Sequence, residues 1–185
     1  SARGMVRISV DDPQYFEFDN GQFFYPIGQN ISWSGSYEHY FSELKKAGGN
    51  SARIWVCPWN LQFDGPHHPG GYDLEISKRL DKLFKIAETK GISILLVIEY
   101  HGMLQWDWGK NPFNQANGGP CKAPWEFFTN PEAIERFKRR LDYMVARWGH
   151  SSALMAWELW NEVDLVNDWE FLVTKDKFKQ IIEWH

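Results

Sequence analysis

The sequence predicts an α/β protein built from parallel (β/α) units, and three observations carry that prediction. Short apolar runs alternate with stretches whose apolar residues recur at helical spacing, in the order β-α-β-α-β-α-β-α. The run 92–100 is almost continuously apolar, as a strand covered on both faces requires. Polar caps and glycine stops punctuate the segments where helices should begin and end. Two architectures satisfy this pattern: an open doubly wound sheet, or part of an eight-stranded barrel. No Gly-rich phosphate loop follows the first core strand, which weakens a nucleotide-binding version of the former.

In chain order, residues 1–6 read as a cloning scar or disordered leader, and 7–185 as one half-barrel domain cut within its fourth helix. Asp19-Asn20-Gly21 marks a hairpin turn between two aromatic runs. The first core strand is expected over 24–28, with Asn30 and Trp33 just beyond its end. A helix over 37–47 stops at Gly48-Gly49. The second strand, 51–57, puts Arg53, Trp55 and Cys57 on one face and Ala52, Ile54 and Val56 on the other. Asp73 caps a helix to Lys90, with Ile76, Leu80, Leu83, Phe84 and Ala87 on one stripe. The third strand ends at His101-Gly102. A long loop, 103–128, holds Trp106, Trp108 and several asparagines, and a loop of that length is more often functional than not. Asn130-Pro131 opens a helix to Trp148. The fourth strand, 153–159, runs into Trp160-Asn161-Glu162, and a last helix starts at Thr174 with Phe178, Ile181 and Ile182 apolar.

Composition bounds the function. The chain has 185 residues, 20 Lys and Arg against 24 Asp and Glu, and a net charge of −4. That balance opposes nucleic-acid binding, which needs a concentrated basic face. The one dense basic run, Lys138-Arg139-Arg140, reads as the solvated face of its helix. No stretch has the length of a membrane-spanning helix. The aromatic load is high, with 11 Trp, 13 Phe and 7 Tyr. An indole offers a flat apolar face with a polar edge, which suits both core packing and sugar stacking. Cys57 and Cys121 either pair across the rim or stay as free thiols.

The chemistry gathers at strand ends, where parallel α/β proteins place their sites. Glu162 is the candidate general acid/base and Asn161 the candidate for gripping substrate beside it. Asn30, Arg53 and His101 stand at the other three strand ends. Alternation turns Arg53, Glu99 and Glu158 inward, and buried charges must pair. Arg53 is therefore expected to meet Glu158 or Glu99, either as a structural ion pair or as part of a site. His101 is either a satisfied core histidine or a site residue.

These residues together resemble a clan A glycoside hydrolase of the cellulase and β-mannanase type. The matching segments are Gly28-Gln29-Asn30-Ile31-Ser32-Trp33, Asn50-Ser51-Ala52-Arg53, His101-Gly102 and Trp160-Asn161-Glu162. Asn111-Pro112-Phe113-Asn114 with Asn117-Gly118-Gly119-Pro120 is similar to a cellulase-like branch. The resemblance implies the first half of a (β/α)8 barrel and retaining hydrolysis of a β-linked glucan or mannan, without cofactor or metal. Glu162 would be the acid/base, Asn161 would hold the sugar 2-hydroxyl, and Arg53 and His101 would shape the subsite. Secretion is the family expectation, and it would favour a disulfide.

The family's nucleophile follows the seventh strand, and four strands are predicted here, so the nucleophile is expected to be absent from this chain. Glu99, Asp107 and Asp164 stand at no matching position. The expectation is weak or no activity for the half-barrel alone. Two other readings remain: a non-catalytic half-barrel binding saccharide through Trp33, Trp106, Trp108 and Trp160, or a doubly wound binding domain unrelated to sugars. Open strand edges are expected to drive a homodimer or higher assembly.

Overall fold

The computed structural model describes residues 4–33, 35–65 and 71–166. The expected helix from Thr174 lies outside the described residues. Three short antiparallel strands come first: β1 (Val6–Ile8), β2 (Phe16–Phe18) and β3 (Phe23–Phe24), in the order β1-β2-β3. β1 begins inside the stretch read as leader and pairs Val6 with Phe18. The first barrel strand, β4, is Gly28–Asn30 and not 24–28. Pro26 intervenes, and a residue without an N–H cannot sustain a ladder, so Phe24 stays with the hairpin. Gly28 must be glycine because a Cβ there would lie 1.9 Å from the Ser51 carbonyl oxygen. Asn50 ties the hairpin to the sheet. Its side chain donates to Tyr25 O at 2.8 Å and accepts from Ile27 N at 2.7 Å.

The remaining elements are α1 (Tyr37–Lys46), β5 (Ser51–Trp55), α2 (Leu74–Lys90), β6 (Ser93–Val97), α3 (Pro131–Trp148) and β7 (Leu154–Glu158). The caps of α2 and α3 and the stops of α1 and α2 follow their local signals. Asp73 accepts from the backbone N–H of Glu75 and Ile76, and Asn130 from Glu132 and Ala133. The glycine stops Gly48 and Gly91 have φ of 84° and 65°.

The second sheet is wholly parallel, in the order β4-β5-β6-β7. Sequential neighbours without a reversal are the order of a barrel wall and lack the switch point of a doubly wound sheet. The face toward the helices holds the main core, with Ile54, Ile94, Leu96, Leu80, Phe41 and Met144 all buried. The inner face holds a separate cluster of Trp55, Cys57, Val97, Tyr100 and Met103.

One irregularity decides which way β7 faces. Ile94 pairs with Leu154, but the next residue, Leu95, pairs with Ala156, so Met155 is skipped. A one-residue shift turns a strand's alternation over. Because of it, Glu158 stands opposite Val97, on the inner face, while Trp157 packs with the outer core.

One sequence expectation fails here for a packing reason, and one open alternative is decided. Arg140 is not on a solvated face: it is 2% exposed and inserted under the sheet. Its Nη1 lies 2.5 Å from Glu99 Oε1, its Nη2 donates to Ile98 O at 2.9 Å, and its Nε lies 3.2 Å from Asp64 Oδ2. Glu99 is thereby drawn to α3 and away from Arg53. Burial pushes the carboxyls of Asp64 and Glu99 above the usual range, Glu99 to about 7. The two cysteines are free and buried on different sides of the sheet, Cys57 in the inner cluster and Cys121 in the outer core, so no disulfide joins them.

The 103–128 loop is built, not open. Short 3-10 turns occupy 101–104, 108–110, 115–117 and 124–128. The Asn111 and Asn114 amides, both buried, donate to Met103 O at 2.8 Å and Trp108 O at 2.9 Å. Asn117 donates to Gly109 O and Asn111 O, each at 2.9 Å. The asparagine-rich motif therefore folds the loop.

Candidate active site

The C-terminal ends of the four parallel strands bring most of the expected residues together. Arg53, from β5, is the hub. Its Nε donates to Glu158 Oε2 at 2.7 Å and its Nη2 to Glu158 Oε1. Nη2 also donates to Asn161 Oδ1 at 2.7 Å, and Nη1 reaches Asn30 Oδ1 at 3.4 Å. Of the two partners open to Arg53, Glu158 takes it with both oxygens. Its guanidinium lies 5.0 Å from the centre of the Trp55 ring.

Asn161 passes this network on. It is buried, and its backbone joins the end of β6: Asn161 N donates to Glu99 O at 2.8 Å and Asn161 O accepts from His101 N at 3.2 Å. Its side-chain Nδ2 donates to Glu162 Oε2 at 3.0 Å. His101, also buried, places Nδ1 3.2 Å from the same Glu162 oxygen. Only Asn161 hydrogen-bonds Oε2, since His101 Nδ1 makes no hydrogen bond there, and Oε1 is left without either neighbour. Glu162 itself has φ 51° and ψ 49°, the left-handed region that non-glycine residues avoid. Such strain costs about 1–3 kcal/mol and clusters at functional positions. Its side chain is 54% exposed.

Aromatic rings flank this group. Trp33 is 74% exposed and stacks on Trp59, with centroids 5.0 Å apart and planes at 17°. Trp59 is fixed in turn by its Nε1, which donates to Ser32 O at 3.1 Å, and by an edge contact with Tyr100 at 5.0 Å. Trp106 is also exposed and stands edge-on to His101 at 5.1 Å. Trp108 and Trp160 do not join them. Both pack against the outer core, Trp160 on Phe127 and Phe128 at 5.4 and 5.5 Å.

Two site-building residues were not found by reading the sequence. Trp59 follows the end of β5 closely, as Trp33 follows β4, and that parallel was the available signal. Tyr100 donates its hydroxyl to Asp107, whose other oxygen meets Lys110 Nζ at 2.6 Å. Burial and this anion both push the Tyr100 hydroxyl upward. A Cβ on Gly102 would lie 2.3 Å from the Tyr100 ring, so the turn after β6 needs glycine. Among the described residues, no three or more His, Cys, Asp and Glu side chains are grouped to hold a metal ion.

No family model matches the chain. It is 38% identical over 87 residues to mannan endo-1,4-β-mannosidase A of Podospora anserina, an alignment covering 46% of this chain and 21% of that one. Against mannan endo-1,4-β-mannosidase A of Emericella nidulans it is 27% identical over 167 residues, covering 80% of this chain and 42% of the relative. The crystal structure of the endo-1,4-β-mannanase from Rhizomucor miehei superposes with a TM-score of 0.64 at 20% identity, over 92% of this chain and 55% of that one. The chain thus spans less than half the length of these curated relatives. Its four parallel strands are part of a (β/α)8 barrel, and the chain is a partial-length relative of the clan A glycoside hydrolases.

Proposed function

We propose that this chain supplies the acid/base half of a retaining glycoside hydrolase acting on β-1,4-linked mannan. The observation that carries the reading is the Arg53–Asn161–Glu162 relay at the C-terminal rim of the sheet. A glycosidic oxygen leaves only when protonated, and Oε1 of Glu162 is the oxygen left available to give that proton. Trp33 and Trp106 would carry sugar rings near it, with Arg53, Asn30 and His101 fixing the pocket. The substrate class rests on the names of the relatives.

A retaining mechanism needs a second carboxylate about 5–5.5 Å from the first. We infer that it lies outside this chain. Glu99 is engaged by Arg140 and Asp107 by Tyr100 and Lys110, which supports that inference. The deciding experiment is mannan hydrolysis by the protein carrying the complete barrel. Glu162→Gln keeps the shape and removes the titrating acid, so turnover should fall by at least about 10²-fold, the lower range for general acid catalysis. An unchanged rate would remove Glu162 from the reaction. We further infer that the 185-residue polypeptide taken alone self-associates through its strand edges.

A further inference from the structure

The proposed chemistry gives Glu158 no part, yet Glu158 holds the hub of the site. Its two oxygens take Nε and Nη2 of Arg53. A two-point contact fixes the plane of a guanidinium, whereas one hydrogen bond leaves it free to turn. That plane aims Nη2 at Asn161 Oδ1, 2.7 Å away. An amide whose oxygen is engaged on one side presents its NH2 on the other. Asn161 does this, and its Nδ2 reaches Glu162 Oε2 at 3.0 Å.

We propose that Glu158 is a positioning residue for Glu162: by clamping Arg53 it fixes the Asn161 amide, and that amide holds the carboxyl in place. Glu158 acts through two other side chains. The skipped residue Met155 is what allows this, since an unshifted β7 would set Trp157, not Glu158, opposite Val97. With Oε2 accepting from Asn161, the proton of the neutral acid sits on Oε1. Releasing Arg53 frees the amide to turn over and present its oxygen to the carboxyl, which would move the proton to the wrong side.

This rests on the reading of Glu162 as the acid, and the test separates the two. Glu158→Ala, Glu158→Gln, Glu158→Asp and Glu162→Gln are compared in the protein with its complete barrel, on a β-1,4-linked manno-oligosaccharide. A misplaced reacting group costs up to about 10²-fold, so Glu158→Ala should lower kcat by about 10- to 100-fold while KM stays within about threefold. Glu158→Gln keeps one acceptor and should recover part of the loss. Wild-type kcat in Glu158→Ala, with Glu162→Gln inactive, overturns the positioning role alone. An active Glu162→Gln overturns the acid assignment instead. A second measurement stands apart from activity: the side-chain amide resonances of Asn161 in 15N-labelled protein should move in Glu158→Gln, which is nearly isosteric. Resonances unmoved from wild type overturn the proposal, whatever the protein hydrolyses.

Discussion

Arg140 Nη1 on α3 sits 2.5 Å from Glu99 Oε1 at the end of β6, and that contact separates the two acids expected to compete for Arg53. Glu99 goes to the helix layer, Glu158 to the inner face. The same guanidinium donates to Ile98 O and lies beside Asp64, so one cation anchors α3, the end of β6 and the segment after β5. The Glu99 carbonyl then accepts from Asn161 N. The candidate site is thus braced from behind by a charge cluster that takes no part in it.

Removing the cation should be severe. Arg140 is 2% exposed and its partners nearly as buried, so Arg140→Met leaves two carboxylates without a counter-charge. Breaking a buried pair from one side costs about 3–5 kcal/mol. Urea denaturation should show that loss as a lower midpoint. A midpoint equal to wild type would mean that water or rearrangement compensates the acids, and the bracing role would fall.

The same cluster sets a pH dependence. Burial raises Glu99 to about 7 from the ordinary carboxylate range. A raised folded value favours the folded state at low pH, and that contribution fades as pH rises through the folded value. Between about pH 5 and 8, stability from this group should therefore decline. Asp81, held below its usual range by Arg147 and Trp148, acts in the opposite sense, but its loss occurs at lower pH. Glu99→Gln should flatten the fall in melting temperature across pH 5–8. An equally steep fall in the variant would place the titration elsewhere.

What could be read from the sequence divides along local and non-local lines. Asp73 and Asn130 were legible as caps because a cap is a side chain bonding to backbone two or three residues on. Arg53 was legible as an inward charge because strand alternation is local too; Glu158 was expected inward on the same ground, yet it reaches that face only through the shift after Leu154. Glu99 was assigned the wrong neighbours because its partner lies 41 residues away, on a helix where Lys138-Arg139-Arg140 looks uniformly solvated. Trp108 and Trp160 were placed with substrate because alternation lapses past a strand end, where packing alone decides which layer receives a ring. The shift at Met155 leaves no sequence signal, and the inward face of Glu158 depends on it.

The strand edges make a prediction for the 185-residue polypeptide by itself. Among the described residues, β4 pairs only with β5 and β7 only with β6. An unpaired edge presents free backbone donors and acceptors to another chain. Ile27 and Trp33, either side of β4, are 56% and 74% exposed. Light scattering after size exclusion should report a dimer or larger species at micromolar concentration. A monodisperse monomer that binds no hydrophobic dye would end the argument.

The stacked pair Trp33 and Trp59 should separate a binding surface from its support. Trp33 exposes one face and rests the other on Trp59, which is itself anchored to Ser32 O and to the Tyr100 edge. Trp33→Ala removes the platform. Trp59→Ala keeps the outer ring and removes what orients it. Aromatic pairs contribute about 0.5–1.5 kcal/mol beyond their buried area, so losing the support should raise the Kd for a β-1,4-linked manno-oligosaccharide by about 2- to 10-fold. Trp33→Ala should raise it at least as much, and the double variant should cost less than the sum, because the two losses act on one surface. Calorimetric titration of the three variants measures this. Strict additivity would mean that the rings act independently, and Trp59 would then be a contact in its own right. An unchanged Kd in Trp33→Ala would move the sugar away from the β4–β5 side of the sheet altogether and leave Trp106, edge-on to the His101 that neighbours Glu162, as the ring to test next.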